Sequence, residues 1–164
     1  MEPGPFFVLL VEDDVNDEAL VHRALRSMEP NCIVLVARDG SEAIDYLFRT
    51  GPFEGLKTQP RPDLVILDLK LPKVGGLEVL KKIRENNTTS LLPVVVFSSS
   101  AEATDVDASY RLGVNSYVHK PLDYDEFIEA VRLIGRYWLG FSRRTPHSIR
   151  EDEIEPIEPP EPES

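Results

Sequence analysis

The sequence predicts an α/β domain, a doubly wound (βα)5 unit built on a five-stranded parallel sheet. Three observations lead there. Five short apolar runs recur at intervals too long for hairpins: Phe6–Val11, Ile33–Val36, Leu64–Leu67, Val94–Phe97 and, more weakly, Ser116–His119. The first four are apolar without alternation and rich in Val, Ile, Leu and Phe, which suits strands covered on both faces. Helical patterns fill the intervals, and this alternation implies helices packed on both faces of a parallel sheet.

The first helical pattern places Leu20, Ala24 and Met28 on one face with Val21 and Leu25, while Glu18, Arg23 and Arg26 point outward. Asp14, just ahead of it, is placed to cap its first turn. The second follows Ser41 with Ala43, Ile44, Leu47 and Phe48. The third sets Leu77, Leu80 and Ile83 against an outward face of Glu78, Lys81, Lys82 and Arg84. The fourth, around Glu102–Leu112, has a thin apolar stripe, and Ser99 or Ser100 is placed to cap it. The last opens with the capping-box-like pair Asp123 and Glu126. Its stripe then runs through Phe127, Ile128, Val131, Ile134 and Trp138.

The 164 residues leave room for one domain, expected over 1–140, and a tail over 141–164. With Glu151, Asp152, Glu153, Glu155, Glu158, Glu161 and Glu163 among its prolines, the tail cannot bury enough apolar surface to fold alone. The connection Arg49–Pro62 is longer than the usual ~2–6 residues, which leaves a functional loop and a tolerated insertion both open. A net charge of −11 argues against nucleic acid as a direct partner, since phosphate binding needs a basic surface. Cys32, the single cysteine, excludes an internal disulfide and a cysteine metal cluster. No run is long and apolar enough to span a membrane, and the first residues do not read as a signal peptide. The expectation is a cytoplasmic protein, free of the membrane.

In an open parallel sheet, ligands bind at the carboxyl ends of the strands. There the first strand delivers Glu12-Asp13-Asp14, the third Asp68, the fourth Ser98-Ser99-Ser100 and the fifth Lys120-Pro121. Clustered carboxylates repel one another unless a cation joins them. An all-oxygen site with few protein ligands and room for water and phosphate suits Mg²⁺. Beside such a cation, the Asp68 carboxylate can attack phosphorus, with Lys120 neutralising a phosphoryl oxygen and Ser98 donating to another.

Val11-Glu12-Asp13-Asp14, Ile66-Leu67-Asp68-Leu69-Lys70-Leu71-Pro72, Val96-Phe97-Ser98-Ser99 and Tyr117-Val118-His119-Lys120-Pro121 resemble the four signatures of response-regulator receiver domains. The match runs in order from about Phe6 to Leu139. The resemblance implies the flavodoxin-like receiver fold and a phosphoacceptor rather than an enzyme, with at most weak self-phosphotransfer and autodephosphorylation. It makes Asp68 the phosphoacceptor, Asp13 a direct Mg²⁺ ligand and Glu12 a second acid acting through water. The backbone carbonyl of Lys70 completes the protein ligands, Ser98 is the switch hydroxyl, Tyr117 the aromatic switch and Lys120 the phosphate-pairing amine. It also implies a cis Lys120–Pro121 bond. The long Arg49–Pro62 connection, the wording Asp68-Leu-Lys-Leu-Pro72 and the closing Arg136-Tyr-Trp-Leu139 resemble the stand-alone receivers paired with bacterial and cyanobacterial phytochromes. Implied partners are therefore a sensor histidine kinase, a phytochrome in this subfamily, and a second copy through the fourth helix, fifth strand and fifth helix. After Leu139, 25 residues remain, too few and too acidic for a DNA-binding module, so output is expected by protein contact.

Glu12 departs from the aspartate frequent at its position, and Lys70 and Ser100 stand where side chains shield or admit hydrolytic water. Tyr117 also reads as a half-exposed strand tyrosine, and Tyr137 and Trp138 read as packing residues. His22, His119 and His147 share no ligand spacing. A phosphohydrolase with an aspartate nucleophile typically needs a second acid two residues on, where this chain has Lys70. A partner-binding pseudo-receiver is opposed by the intact acid pair, Asp68, Ser98 and Lys120. A flavodoxin-like cofactor binder is opposed by acids standing where that fold takes a phosphate.

Overall fold

The computed structural model describes residues 4–55 and 60–143. The elements run β1 (Phe6–Val11), α1 (Val15–Met28), β2 (Cys32–Ala37), α2 (Gly40–Phe48), β3 (Leu64–Leu67), α3 (Gly76–Glu85), β4 (Val94–Ser98), α4 (Ala103–Arg111), β5 (Ser116–His119) and α5 (Tyr124–Gly135). A 3-10 turn, Gly51–Phe53, lies in the long connection before β3, and a π-helical turn, Arg136–Phe141, extends α5. The five strands form one parallel sheet in the order β2-β1-β3-β4-β5. The doubly wound reading is met, and each strand lies within a residue of its expected ends. The tail expected over 141–164 lies outside the described residues beyond 143.

Strands without polar alternation follow from two cores, one on each face. Val8, Leu10, Ile66 and Phe97 pack with Val21 and Leu25 of α1 and Phe127 and Val131 of α5. The residues between them in sequence, Leu9, Val11, Val65, Leu67 and Val96, pack with Val79, Leu80 and Ile83 of α3 and Ala43 of α2. Side chains on a strand point alternately to the two faces, so a strand covered twice must be apolar at every position.

Caps set the helix starts. Asp14 accepts from the N–H groups of Asn16 and Asp17, at 2.8 and 3.0 Å. Asp39 accepts from Glu42 at 2.7 Å, and Asp123 accepts from Glu126 at 3.0 Å. The bond from Glu42, with burial opposing and Lys73 adding to it, holds the Asp39 carboxyl below its ordinary range. The expected serine cap on α4 is not found. Its N-cap is Glu102, so Ser100 lies one turn short of the helix and its Oγ donates to Asp105 at 2.5 Å instead.

Two further expectations are corrected. Arg84 does not simply face solvent: it donates to the carbonyls of Gly113 (2.7 Å), Leu92 (2.7 Å) and Ser90 (3.2 Å) and to Asn115 Oδ1 (2.8 Å). The three carbonyls lie in loops at the foot of β4 and β5, and Asn115 Oδ1 also accepts from the Val94 N–H at 2.8 Å, so Arg84 and β4 share it. The Lys120–Pro121 bond is trans, as is every peptide bond among the described residues. A bond before proline prefers trans by only about 0.5–1 kcal/mol, so the local chain does not impose cis.

Candidate functional site

Strand order places β1 beside both β2 and β3, and the chain winds to opposite faces on leaving β1 and β2. The crevice at such a reversal is where open α/β sheets hold ligands. An open cleft of about 480 Å³ lies there, lined by Glu12, Asp13, Asp17, Asp68, Lys70 and Lys120 among others. Another cavity, of about 320 Å³, lies between the end of α2 and the α3–β4 loop, at the opposite edge of the sheet from the carboxylates.

β1 and β3 bring their acids side by side because Val11 and Leu67 are paired, which aligns Glu12 with Asp68. The N–H of Asp68 donates to the Val11 carbonyl at 3.0 Å and fixes that register at its last step. Below Asp68, α3 approaches so closely that a Cβ on Gly76 would lie 2.2 Å from the Asp68 carbonyl oxygen. Glycine is the residue that admits this approach.

The Lys120 ammonium lies at the centre. It donates to Glu12 Oε2 at 2.6 Å, Asp17 Oδ2 at 2.9 Å and Asp68 Oδ2 at 3.0 Å, and lies 5.9 Å from the centre of the Phe97 ring. Burial works against the charged amine, but the hydrogen bonds and charges of Glu12, Asp68 and Asp17 outweigh it and hold Lys120 protonated above its ordinary range. Glu12 shows the opposite balance. Its burial outweighs the pull of Lys120, and with the charge of Asp68 adding to it the carboxyl is pushed up from 4.5 to about 7.

Glu12, Asp13 and Asp68 each offer an oxygen, and these oxygens lie within 4.8 Å of one another. Hard oxygen donors, two buried and one exposed, fit a divalent cation of the Mg²⁺ type that keeps part of its water. Lys70 lines the cleft, and its N–H donates to Asp68 Oδ1 over a long 3.4 Å.

Ser98 is fully buried at the end of β4, its Oγ accepting from the Ser100 N–H at 3.3 Å. Accepting there does not use the hydroxyl proton. Its carbonyl accepts from the Lys120 N–H at 2.7 Å, tying the ends of β4 and β5 together. Tyr117 is half-buried on β5, and its hydroxyl donates to the Ser100 carbonyl at 2.7 Å. The sequence-predicted residues thus gather at one rim, with Tyr117 joined to it through the β4–α4 loop. Sequence reasoning missed Asp17, the third acid on Lys120. Its only local signal was a carboxylate in the first turn of a helix, a common placement that the helix dipole favours.

A parallel sheet with paired acids, a further aspartate and a buried lysine at its carboxyl edge is the arrangement of a receiver domain. The family model described as the response regulator receiver domain matches residues 8–132, and the chain belongs to that family. Response regulator Rcp1 of Synechocystis sp. is 38% identical over 135 residues, covering 82% of this chain and 90% of Rcp1. The probable methanogenesis regulatory protein FilR2 of Methanothrix harundinacea is 39% identical, over 85% of this chain and 87% of FilR2. Among solved structures, the phosphorylated cyanobacterial phytochrome response regulator RcpA aligns with a TM-score of 0.81 at 36% identity, covering 86% of this chain and 99% of RcpA. The Mn²⁺-bound form of Rcp1 aligns with a TM-score of 0.79 at 36% identity, over 86% of this chain and 99% of the other. The chain is thus a receiver-domain response regulator, similar over most of its length to phytochrome-linked relatives.

Proposed function

We propose that Asp68 accepts a phosphoryl group from the phosphohistidine of a sensor histidine kinase, a phytochrome being the kinase class that the relatives favour. A carboxylate oxygen of Asp68 bonds to phosphorus as the phosphorus–nitrogen bond to the kinase breaks, and the departing imidazole takes up a proton. Glu12, Asp13, Asp68 and the carbonyl of Lys70 are the candidate ligands for Mg²⁺, with Glu12 acting through water. When bound, the cation offsets the charge of the acids and of the incoming phosphoryl oxygens. Lys120 neutralises a further oxygen, and Ser98 donates its hydroxyl proton to another.

The observation that carries this reading is the three-carboxylate contact of Lys120, which holds a permanent cation against Asp68 at 3.0 Å. The output is a protein contact. Movement of Ser98 toward the phosphoryl group draws on the β4–α4 loop, and Tyr117, bonded to the Ser100 carbonyl, carries it to the face of α4, β5 and α5. Tyr110 and Leu133, both more than half exposed on that face, support its use by a second copy. Among the described residues no helix is long and apolar enough to cross a membrane. A cytoplasmic location and output without nucleic acid belong to the same proposal.

The test is intact mass after incubation with Mg²⁺ and acetyl phosphate, for the native sequence and for Asp68→Asn. One phosphoryl group gained by the former alone, and removed by hydroxylamine, supports the acyl phosphate. No adduct and no consumption of acetyl phosphate would make the chain a partner-binding pseudo-receiver. Chromatographic mass with and without beryllofluoride tests the second copy, and a monomer in both removes it.

A further inference from the structure

All three N–H groups of the Lys120 ammonium are directed at carboxylates. Two of those carboxylates, Glu12 and Asp68, belong to the receiver signatures; the third, Asp17, does not. It projects from the first turn of α1, where the helix dipole favours any acid. Its neighbour Glu18 is in the same turn and pairs with Arg38 at 2.9 Å on the surface. Asp17 instead turns into the cleft to reach a lysine whose side chain is 7% exposed.

We propose that Asp17 is a positioning residue for phosphoryl transfer: it occupies one donor of Lys120 that the phosphoryl group on Asp68 needs, and so acts as a brake on phosphorylation. The inference rests on Asp68 being the acceptor. An ammonium has three N–H groups and no more; one passes from Asp68 to the phosphoryl group as its carboxylate becomes the acyl phosphate, and a second can do so only if an acid that keeps its place lets go. Glu12 is nearly buried, at 2% side-chain exposure, and a buried acid left without a hydrogen-bond partner is costly. Asp17 is the most open of the three, at 28%, and water can take over its hydrogen bond. Of the two acids that stay as they are, Asp17 is therefore the one that yields a second N–H to the phosphoryl group. The phosphoryl group also brings about −1.5 to −2 charges beside the Asp17 carboxylate, and their repulsion opposes occupancy in the same direction.

The experiment compares the full chain with Asp17→Asn at saturating Mg²⁺, titrating beryllofluoride by NMR and following acetyl phosphate labelling by intact mass. Asparagine keeps the size of the side chain and removes the charge. Beryllofluoride is expected to bind roughly fivefold tighter, the scale of one partly exposed ion pair, with a higher phosphorylated fraction. Mg²⁺ affinity, titrated separately, is expected not to rise, because the freed ammonium repels the cation. Asp17→Glu, which restores the charge, brings the beryllofluoride constant back toward its starting value. Unchanged or weaker anion binding with intact Mg²⁺ affinity overturns the proposal and leaves Asp17 a helix-end acid. A fall in both affinities also overturns it, by placing Asp17 in the metal's surroundings. If the native chain itself gains no phosphoryl mass and binds no beryllofluoride, the acceptor reading has failed, and the brake falls with it.

Discussion

The hydroxyl of Tyr117 donates to the backbone carbonyl of Ser100 at 2.7 Å, so the middle of β5 is tied to the loop that follows Ser98. The Ser100 hydroxyl extends the tie to Asp105 in the first turn of α4, and His119 Nε2 lies 3.1 Å from the Ser99 carbonyl. One loop therefore joins the carboxyl end of β4 at Ser98 to α4 and β5.

Tyr117→Phe removes this bond and little else. A stability loss of about 1 kcal/mol in urea unfolding is expected, the usual net value of one hydrogen bond. The more telling measurement is amide exchange over α4 before and after beryllofluoride. The change seen in the native chain is expected to shrink in the variant, and an equal change in both would show that the loop does not carry the signal.

Glu12 gives a pH dependence of known sign. Its carboxyl titrates near 4.5 in an unfolded chain and at about 7 in the fold, so folding favours the protonated form. The stability this contributes is fully present below about pH 4.5 and is lost as pH rises through about 7. With metal removed by a chelator, Glu12→Gln should match the native chain near pH 4.5 and exceed it above pH 7, by on the order of 3 kcal/mol at most. Lys120 keeps Asp17 and Asp68 as partners in the variant, so no unpaired charge is created. Thermal melts across this range decide it, and a native chain that is the more stable above pH 7 would refute the expectation. Adding Mg²⁺ should erase the difference or reverse it.

Gly76→Ala should cost about 1–3 kcal/mol, the usual range for overpacking, because the new methyl meets the Asp68 carbonyl and Leu69 Cα rather than a movable side chain. The displacement falls on Asp68, the proposed acceptor, so labelling by acetyl phosphate should slow by more than the unfolded fraction explains. Denaturant titration and labelling of the same sample separate the two effects.

Arg84→Met keeps the stem of the side chain and removes donors to three carbonyls and one amide oxygen. A loss of about 1–2 kcal/mol is expected, because the Ser90 and Leu92 carbonyls are partly buried while those at Gly113 and Asn115 are open to water. Urea midpoints measure it, and a change under about 0.5 kcal/mol would mean that water replaces the arginine freely.

Cys32 is buried, and burial, with Glu29 adding, pushes its thiol up to about 11. Thiolate is the reactive form, so a disulfide reagent near pH 8 should label the unfolded chain and spare the native one. Stability from this group is present below about pH 9 and is lost as pH rises through about 11.

What the sequence disclosed was whatever repeats locally. Apolar runs and helical stripes placed β1, β3 and β5 at their observed ends, and capping chemistry marked Asp14 and Asp123. The cleft acids were legible because each ends a strand. Contacts between distant segments were not. Lys120 and Asp17 are 103 residues apart and Arg84 and Gly113 are 29 apart, and no local pattern announces either bond. Ser100 misled because a serine just before a helix usually caps it, and here the helix starts too late for that. The trans Lys120–Pro121 bond lies beyond local reading, since proline makes both forms accessible.

The placement of β1 inside the sheet has a consequence for the order of assembly. β1 pairs with β2 across one helix, a nearby closure, whereas Asp68 reaches Glu12 only when β3 docks along the other side of β1. Lys120 arrives later still, through β4 and β5. A half-folded chain can therefore own a sound first β–α–β unit and still have no place for a cation. The cation cannot guide early folding and can only reward its completion, so magnesium should slow unfolding far more than it speeds folding.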